Sequence, residues 1–381
     1  MNILVTSTDV MMIQFIVPHI INLKKKGYHI DIACSGAAGY QNENYLEKIS
    51  EQLGTDTKVN FVRTERNPLS LHNYEGYKDL RRIINEGQYD LIWTNEPVMG
   101  VMTRLAARKT RKVNNTKLMY LVHGFHFFKG APKINWIAYP VEKFMSKYCD
   151  AMTMINWEDY HFTKKHFQKV PVYHIDGIGL DTNKFADVVV DRAKKRAELG
   201  FSIDDVLLLS VGELQYRKNH EVIIRALAIL KDTRIKYIIC GCGELGNYIN
   251  ELAKKLGVDN QLFLLGHRYD IAEILKTCDV FAHPSIREGL GIAAIEAMSA
   301  GLPIITSNVQ GIPDYSINEE TGFCLDPHDI DGFANAIRIL VDNKELRDRI
   351  AKHNIVAAKK YDISNSCKQV EAIIGELLSK K

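Results

Sequence analysis

The stretch DVFAHPSIREGLGIAAIEAMSAGLPIITS, Asp279–Ser307, decides how the rest of the chain is read. It opens on one short β-branched and aromatic run, DVFAH, and closes on another, LPIITS. The apolar segment between them starts at about Gly291 and is read as a helix. Strand, helix and strand in that order make a βαβ unit with both strands parallel in one sheet. Two carboxylates, Glu288 and Glu296, interrupt this otherwise apolar run, and burying either without a partner is costly. Gly289 and Gly291 strip side chains from the helix entrance, so backbone N–H groups there are free to approach a ligand.

The same rhythm extends along nearly the whole chain. NILVT, HIDIA, YDLIW, KLMYLV, AMTMI and PVYHI read as strands in the first half, and DVLLLSV, IKYIIC and QLFLLG join DVFAH and LPIITS in the second. IQFIVPHIINLKKKG reads as one helix ending on Gly27, and further helices are expected from about Asn219, Glu244, Gly291 and Ile330. Alternation of this kind predicts an α/β protein with parallel sheets covered on both faces. The rhythm pauses near GIGLDTNKF, 177–185, before the charged helix DRAKKRAELG. Two doubly wound, Rossmann-like domains are therefore expected, 1–182 and 183–361, with the default ligand site in a cleft between them. In the tail, 362–381, Val370, Ile373, Ile374 and Leu377 recur at helical spacing and give one apolar face to dock.

Composition narrows the class. Hydrophobic residues at 46% and charged ones at 25% of 381 describe a folded globular chain. The seven cysteines form no CxxC pair, which argues against zinc and a disulfide framework and for free thiols in a reducing cytosol. No run approaches the roughly 20 apolar residues that span a bilayer. The opening MNILVTSTDV lacks the basic region of a signal peptide, so a soluble, cytoplasmic protein is expected. Net charge is only +3, yet Arg104–Lys147 holds ten lysines and arginines against one acid, Glu142. Such a stretch attracts phosphates, nucleic acid or an anionic membrane, or is simply a solvated face.

Two glycine loops bear on the ligand. GCGELG carries Gly241, Gly243 and Gly246 in the GxGxxG spacing after a strand. A dinucleotide site needs a carboxylate about 20 residues on, but the next strand, QLFLL, ends in Gly266-His267-Arg268. The first strand runs into TSTDVMM without a glycine, so a dehydrogenase is disfavoured. Two readings of GCGELG stand: backbone brought close to a nucleotide, or a tight turn. In VGELQYRKNHEVII, Gly212 permits a turn, and Arg217 and Lys218 stand just before a helix, a site for a dianion. Carboxylates suit hydroxyls, while these cations and helix N-termini suit phosphate. A nucleotide diphosphate sugar satisfies both.

These residues resemble glycosyltransferase family 4, retaining enzymes of the GT-B fold, whose members carry the glutamate pair seen in EGLGIAAIE. The resemblance continues through AMSAGLPIITSNVQGIPDYSINEETGFCLDP, VGELQYRKN and GCGELG. In the first half, LVHGFHFFKGAPKINWIAYPVEKFMSKYCDAMTMINWEDY resembles the subgroup that builds bacterial capsule and exopolysaccharide repeat units. The resemblance implies two domains facing across a cleft, closing on the donor near Asp181–Phe185, and a C-terminal helix crossing back to the first domain. It implies that Glu296 holds the ribose hydroxyls and Glu288 those of the transferred sugar. The amides of Gly289, Leu290, Gly291 and Ile292 bind sugar and phosphate, Arg217 and Lys218 neutralise the diphosphate, and His123 reaches the sugar from the first domain. Gly212, Gly241, Gly243 and Arg268 complete the donor set, and His126 is read as structural.

The reaction so implied is retaining transfer from a UDP-sugar, an N-acetylhexosamine or galactose, to a polyprenyl-diphosphate-linked saccharide. No metal cofactor is expected, and the only DxD, Asp329–Asp331, reads as a helix cap. With such an acceptor, Arg104–Lys147 and its interleaved Phe125, Phe127, Phe128, Trp136 and Tyr139 read as a peripheral contact with the inner face of the membrane, not with nucleic acid. Two departures from the family pattern stand out: Glu213 where many members have arginine, and the glycine-free first loop, STDVMMIQ. The rival readings are an epimerase or phosphorylase on the same fold, and a non-catalytic nucleotide-sugar-binding partner of a sister transferase.

Overall fold

A computed structural model of the chain describes residues 1–36 and 45–380. The chain divides into two compact units, Met1–Gly179 with Ile363–Lys381, and Leu180–Asp362. In unit 1 the strands are β1 Asn2–Asp9, β2 His29–Ser35, β3 Val59–Phe61, β4 Leu91–Asn95, β5 Lys117–Val122, β6 Ala151–Met154 and β7 Val172–His174. They form one parallel sheet in the order β3-β2-β1-β4-β5-β6-β7. In β1, Val5 lies opposite Ile32 on one side and Trp93 on the other, and all three are fully buried. Strands covered on both faces have no solvent side, which is why they read as continuous apolar runs.

One expected helix is two. IQFIVPHIINLKKKG contributes to Val10–Ile13 and to Val17–Lys25, with Pro18 at the start of the second. A proline ring is tolerated only in the first turn of a helix, so the segment restarts there. Helix Ile363–Ser379 belongs to unit 1 and buries Val370, Ile373, Ile374 and Leu377, the face expected of the tail. Its polar flank is fixed as well. Asn22 Nδ2 donates to Glu371 (3.1 Å), Tyr173 Oη to Glu376 (2.8 Å) and Ser366 Oγ to the Gly177 carbonyl (2.8 Å).

Unit 2 repeats the plan with β8 Val206–Val211, β9 Ile235–Cys240, β10 Leu262–Gly266, β11 Val280–His283, β12 Ile304–Ser307 and β13 Gly322–Leu325. The order is β10-β9-β8-β11-β12-β13, again parallel throughout. Its core packs Leu208, Ile223, Leu227, Tyr237, Ile305, Phe333 and Ile337. Leu180 and Asp362, the first and last residues of the unit, meet as an isolated parallel bridge. Asp329 accepts from Gly332 N–H (2.8 Å) at the start of helix Ile330–Asp342, so that aspartate is a cap.

The basic stretch of unit 1 is less exposed than its composition implies. Arg104 is fully buried, donating to Glu142 (2.8 Å) and stacking over the Tyr120 ring at 4.3 Å. Arg111 is paired with Asp150 (2.6 Å). Neither belongs to a cationic surface. Removing one partner of a buried ion pair strands the other charge. Glu142→Ala should therefore destabilise unit 1 by about 3–5 kcal/mol, whereas Arg104→Met with Glu142→Leu should lose much less. All three tryptophans, Trp93, Trp136 and Trp157, lie in unit 1, so urea unfolding followed by tryptophan fluorescence reads this difference directly.

Candidate active site

In a doubly wound sheet, ligands bind beyond the carboxyl ends of the strands where the strand order reverses. In unit 2 that point lies between β8 and β11. The segment after β8 carries Arg217 and Lys218, and the segment after β11 carries Glu288. They meet: Lys218 Nζ donates to Glu288 Oε2 at 2.6 Å, Arg217 lies 3.7 Å from the same oxygen and His283 Nε2 lies 3.5 Å away. Burial works against charge on Glu288, but Lys218 and His283 overcome it and hold the carboxyl well below its usual range. It is an anion at any physiological pH. Arg217 is also engaged by Glu213 (2.7 Å), so the acid that departs from the family pattern partly neutralises the neighbouring cation.

Backbone contacts hold the two segments in register. Ile286 N–H donates to the Arg217 carbonyl (2.9 Å), and Asn219 Nδ2 donates to the carbonyls of Pro284 (3.0 Å) and Pro327 (2.8 Å). Gln310 accepts from Glu288 N–H (3.0 Å). Gly291 starts helix Ile292–Ser299 at φ +85°, and no side chain caps that helix. A Cβ on Gly291 would sit 2.8 Å from both His283 Nε2 and the Tyr315 hydroxyl. Glycine is thus required twice over, by conformation and by space. Asn219, His283, Gln310 and Tyr315 were not singled out from sequence. Only Asn219, written just ahead of a helix, carried a local signal there.

The GCGELG loop has a packing explanation. A Cβ on Gly241 would lie 1.9 Å from the Gly212 carbonyl oxygen, and one on Gly243 would lie 2.5 Å from that of Leu214. Gly212 N–H donates to the Cys240 carbonyl (2.9 Å) and Leu214 N–H to that of Cys242 (3.0 Å). These glycines let the loops after β8 and β9 lie against each other. Gly212 in turn leaves room for the Lys218 stem, whose Cε would be 3.2 Å from an added Cβ. Arg268, after β10, is held in a fork by Asp270 at 2.8 and 2.6 Å.

Glu296 behaves differently from Glu288. It is half-buried on helix Ile292–Ser299, and among the described residues its carboxyl has no hydrogen-bond partner. Burial pushes it up to about 7, with Lys184 pulling weakly the other way. In unit 1, His123 follows β5 with Nε2 3.1 Å from Asn95 Oδ1, and burial lowers its pKa to about 4. It is therefore neutral at pH 7. His126 is exposed.

A unit that presents cations and an ionised carboxylate at the reversal point of a parallel sheet, beside an uncapped helix start, has the charge and the free amides to take a phosphate-bearing ligand. Comparison with known proteins agrees. The family profile of glycosyl transferases group 1 matches residues 191–355, and that of glycosyl transferase 4-like proteins matches residues 4–156. EpsD of Bacillus subtilis, named as a glycosyltransferase, is 32% identical over 365 residues, spanning 94% of this chain and 92% of EpsD. The chain belongs to this glycosyltransferase family and is a transferase. The UDP-Gal:α-D-GlcNAc-diphosphoundecaprenol α-1,3-galactosyltransferase of Escherichia coli is 29% identical over 78% of each chain. Among solved structures, Anabaena HepE in complex with UDP and glucose superimposes over 99% of this chain and 100% of its own, with a TM-score of 0.80 at 18% identity. Sucrose-phosphate synthase of Thermosynechococcus elongatus superimposes over the full length of both chains, with a TM-score of 0.83 at the same identity. The fold is thus that of the GT-B glycosyltransferases.

The raised Glu296 pKa has a stability consequence of definite sign. The folded chain holds this proton up to about pH 7, whereas the unfolded chain releases it near 4.5. The contribution is complete below about pH 4.5 and is lost as pH rises through 7. Glu296→Gln should match the wild type at pH 4 and exceed it at pH 8 by about 3 kcal/mol. Calorimetric unfolding at the two pH values gives the comparison.

Proposed function

We propose that the chain moves a sugar, an N-acetylhexosamine or galactose, from a UDP-sugar to a lipid-linked diphosphate saccharide, with retention at the anomeric carbon, in capsule or exopolysaccharide assembly. The observation that carries this reading is the Lys218, Arg217 and Glu288 cluster beside the uncapped start of helix Ile292–Ser299. A diphosphate draws Lys218 and Arg217 towards itself and frees Glu288 to accept hydroxyls of the transferred sugar. Glu296, half-buried and unpartnered among the described residues, takes the ribose diol. The acceptor hydroxyl attacks from the face that the diphosphate leaves, and a phosphate oxygen of the leaving group takes its proton. What the protein supplies is preorganised positive charge. In this reading it needs no metal, because Lys218, Arg217 and the helix amides meet the charge that grows on the diphosphate. Neutral His123 is suited to hydrogen-bonding the sugar.

Nucleotide release measured across UDP- and GDP-sugars, with a GlcNAc-diphosphate lipid as acceptor, tests the reading. Free sugar in place of a glycoside would point to a phosphorylase or epimerase instead. Within it, Glu296→Ala should raise donor KM, since ribose contacts are alike in ground and transition states. Lys218→Ala should lower kcat by about 10²-fold or more, because it opposes charge that grows during transfer. A Lys218 variant altered only in KM would reverse these roles.

The same reading places unit 1 against an anionic membrane. No described helix is long and apolar enough to cross a bilayer. The rings expected at the headgroups are largely unavailable: Phe125, Phe127 and Phe128 are buried, and Phe127 packs against Trp136, Tyr139 and Phe162. Exposed in their place are Ile134 (68%), Ile137 (64%), Val141 (46%) and Phe144 (56%), at three- and four-residue spacing along Lys133–Ile137 and Ala138–Ser146. Lys129, Lys133, Lys143 and Lys147 are exposed beside them. An apolar stripe edged by lysines suits an anionic interface, where each basic residue contributes about 1 kcal/mol. Co-sedimentation with vesicles should require anionic lipid, weaken with salt and fall in Lys129→Ala/Lys133→Ala and in Ile137→Ser/Phe144→Ser. Equal sedimentation with neutral vesicles would count against it.

A further inference from the structure

Unit 1 has its own reversal point, between β1 and β4. By the rule that locates the unit 2 site, a ligand group belongs at the carboxyl ends of these two strands. Ser7, Thr8 and Asp9 close β1, and Glu96 directly follows β4. The Glu96 carboxylate reaches across: Oε2 accepts from Ser7 Oγ (2.7 Å) and from Thr8 N–H (2.8 Å). Oε1 has no hydrogen-bond partner among the described residues, and Glu96 is only half-buried. The neighbouring Asn95 Oδ1 touches His123 Nε2, so Glu96 and the site histidine stand on one hydrogen-bonded edge of the sheet.

The backbone at Glu96 is unusual. It holds φ 62° and ψ 154°, a region that glycine occupies easily and a side-chain-bearing residue does not. A residue whose only task was to start helix Pro97–Ala106 would be more stable as glycine there. The strain is retained together with a carboxylate that has one oxygen clamped and the other open.

The charge at this point selects the ligand. Thr8 N–H is already taken by Glu96, so the glycine-free first loop offers that amide to no phosphate. Asp9 stands beside it, and the cation nearby, Arg66, is paired with Asp9 at 2.7 Å. A carboxylate next to a neutralised ion pair repels an anion and accepts from a hydroxyl. We propose that Glu96 is a positioning residue of unit 1 whose open oxygen accepts a hydroxyl of the acceptor saccharide, so that the sugar of the acceptor, not its diphosphate, occupies the β1/β4 reversal point. The inference rests on the transfer reaction proposed above and adds the group that orients the acceptor.

The test uses the full chain, the best donor from the nucleotide-sugar panel, and α-GlcNAc diphosphate on a short alkyl chain with its singly deoxygenated forms. Glu96→Gly relieves the backbone strain and should keep or raise Tm. It should nevertheless raise acceptor KM by about tenfold or more while donor KM stays within about twofold. Glu96→Gln, which keeps the shape, should fall between the two. One deoxygenated acceptor should lose about tenfold with the wild type and nothing further with Glu96→Gly, as coupled partners do. An unchanged acceptor KM in Glu96→Gly, or equal losses for every deoxygenated acceptor in both proteins, would overturn the proposal. A lower Tm with unaltered acceptor KM would assign Glu96 to structure alone. Wild-type protein that releases UDP but transfers to none of these acceptors would refute the acceptor class, and the inference with it.

Discussion

A parallel sheet sends every strand the same way, so every loop that follows a strand arrives at one edge. Where the strand order reverses, neighbouring loops leave to opposite faces and a crevice opens that no side chain of the core fills. Both units obey this constraint, at β1/β4 and at β8/β11. Everything chemical described above stands on those two edges. In unit 2 the occupants are cations facing one carboxylate. In unit 1 they are a carboxylate, two of its donors and a neutral histidine one residue away through Asn95. One geometry thus carries two different electrostatic settings.

The two motif glutamates divide in the same manner. Glu288 pairs with Lys218 and is held ionised, a preformed acceptor that costs nothing to deprotonate. Glu296, eight positions on, has burial opposed only weakly by Lys184 and sits near its titration point at neutral pH. A group in that state is sensitive to whatever hydroxyls or charges arrive, whereas Glu288 is buffered by its neighbours. Identical side chains would not behave so differently in water; it is desolvation set against local positive charge that separates them.

Much of the fold was legible because buried parallel strands write themselves as unbroken apolar runs. The two strands that escaped notice, Val59–Phe61 and Gly322–Leu325, are short and lie at sheet edges, where half-buried positions dilute the pattern. The charged residues of the unit 2 site could be named from their spacing, but the Lys218 pairing with Glu288 joins residues 70 apart and needs the sheet order to be seen. Arg104 illustrates the opposite error. Composition counts a charge wherever it stands, and only coordinates show that this one is buried against Glu142. Glu96 left almost no trace, since an acid before a proline reads as an ordinary helix start, and its positive φ is invisible in the letters.

Because unit 1 is assembled from two separated segments, unit 2 is in effect an insertion within it. On the ribosome, residues 180–362 emerge as a contiguous block and are able to fold before helix Ile363–Ser379 exists. Unit 1, although its strands are made first, must wait with an uncovered apolar face until that helix supplies Val370, Ile374 and Leu377. The order of synthesis is therefore the reverse of the order of completion. During translation the nascent first half is the part that calls for chaperone protection.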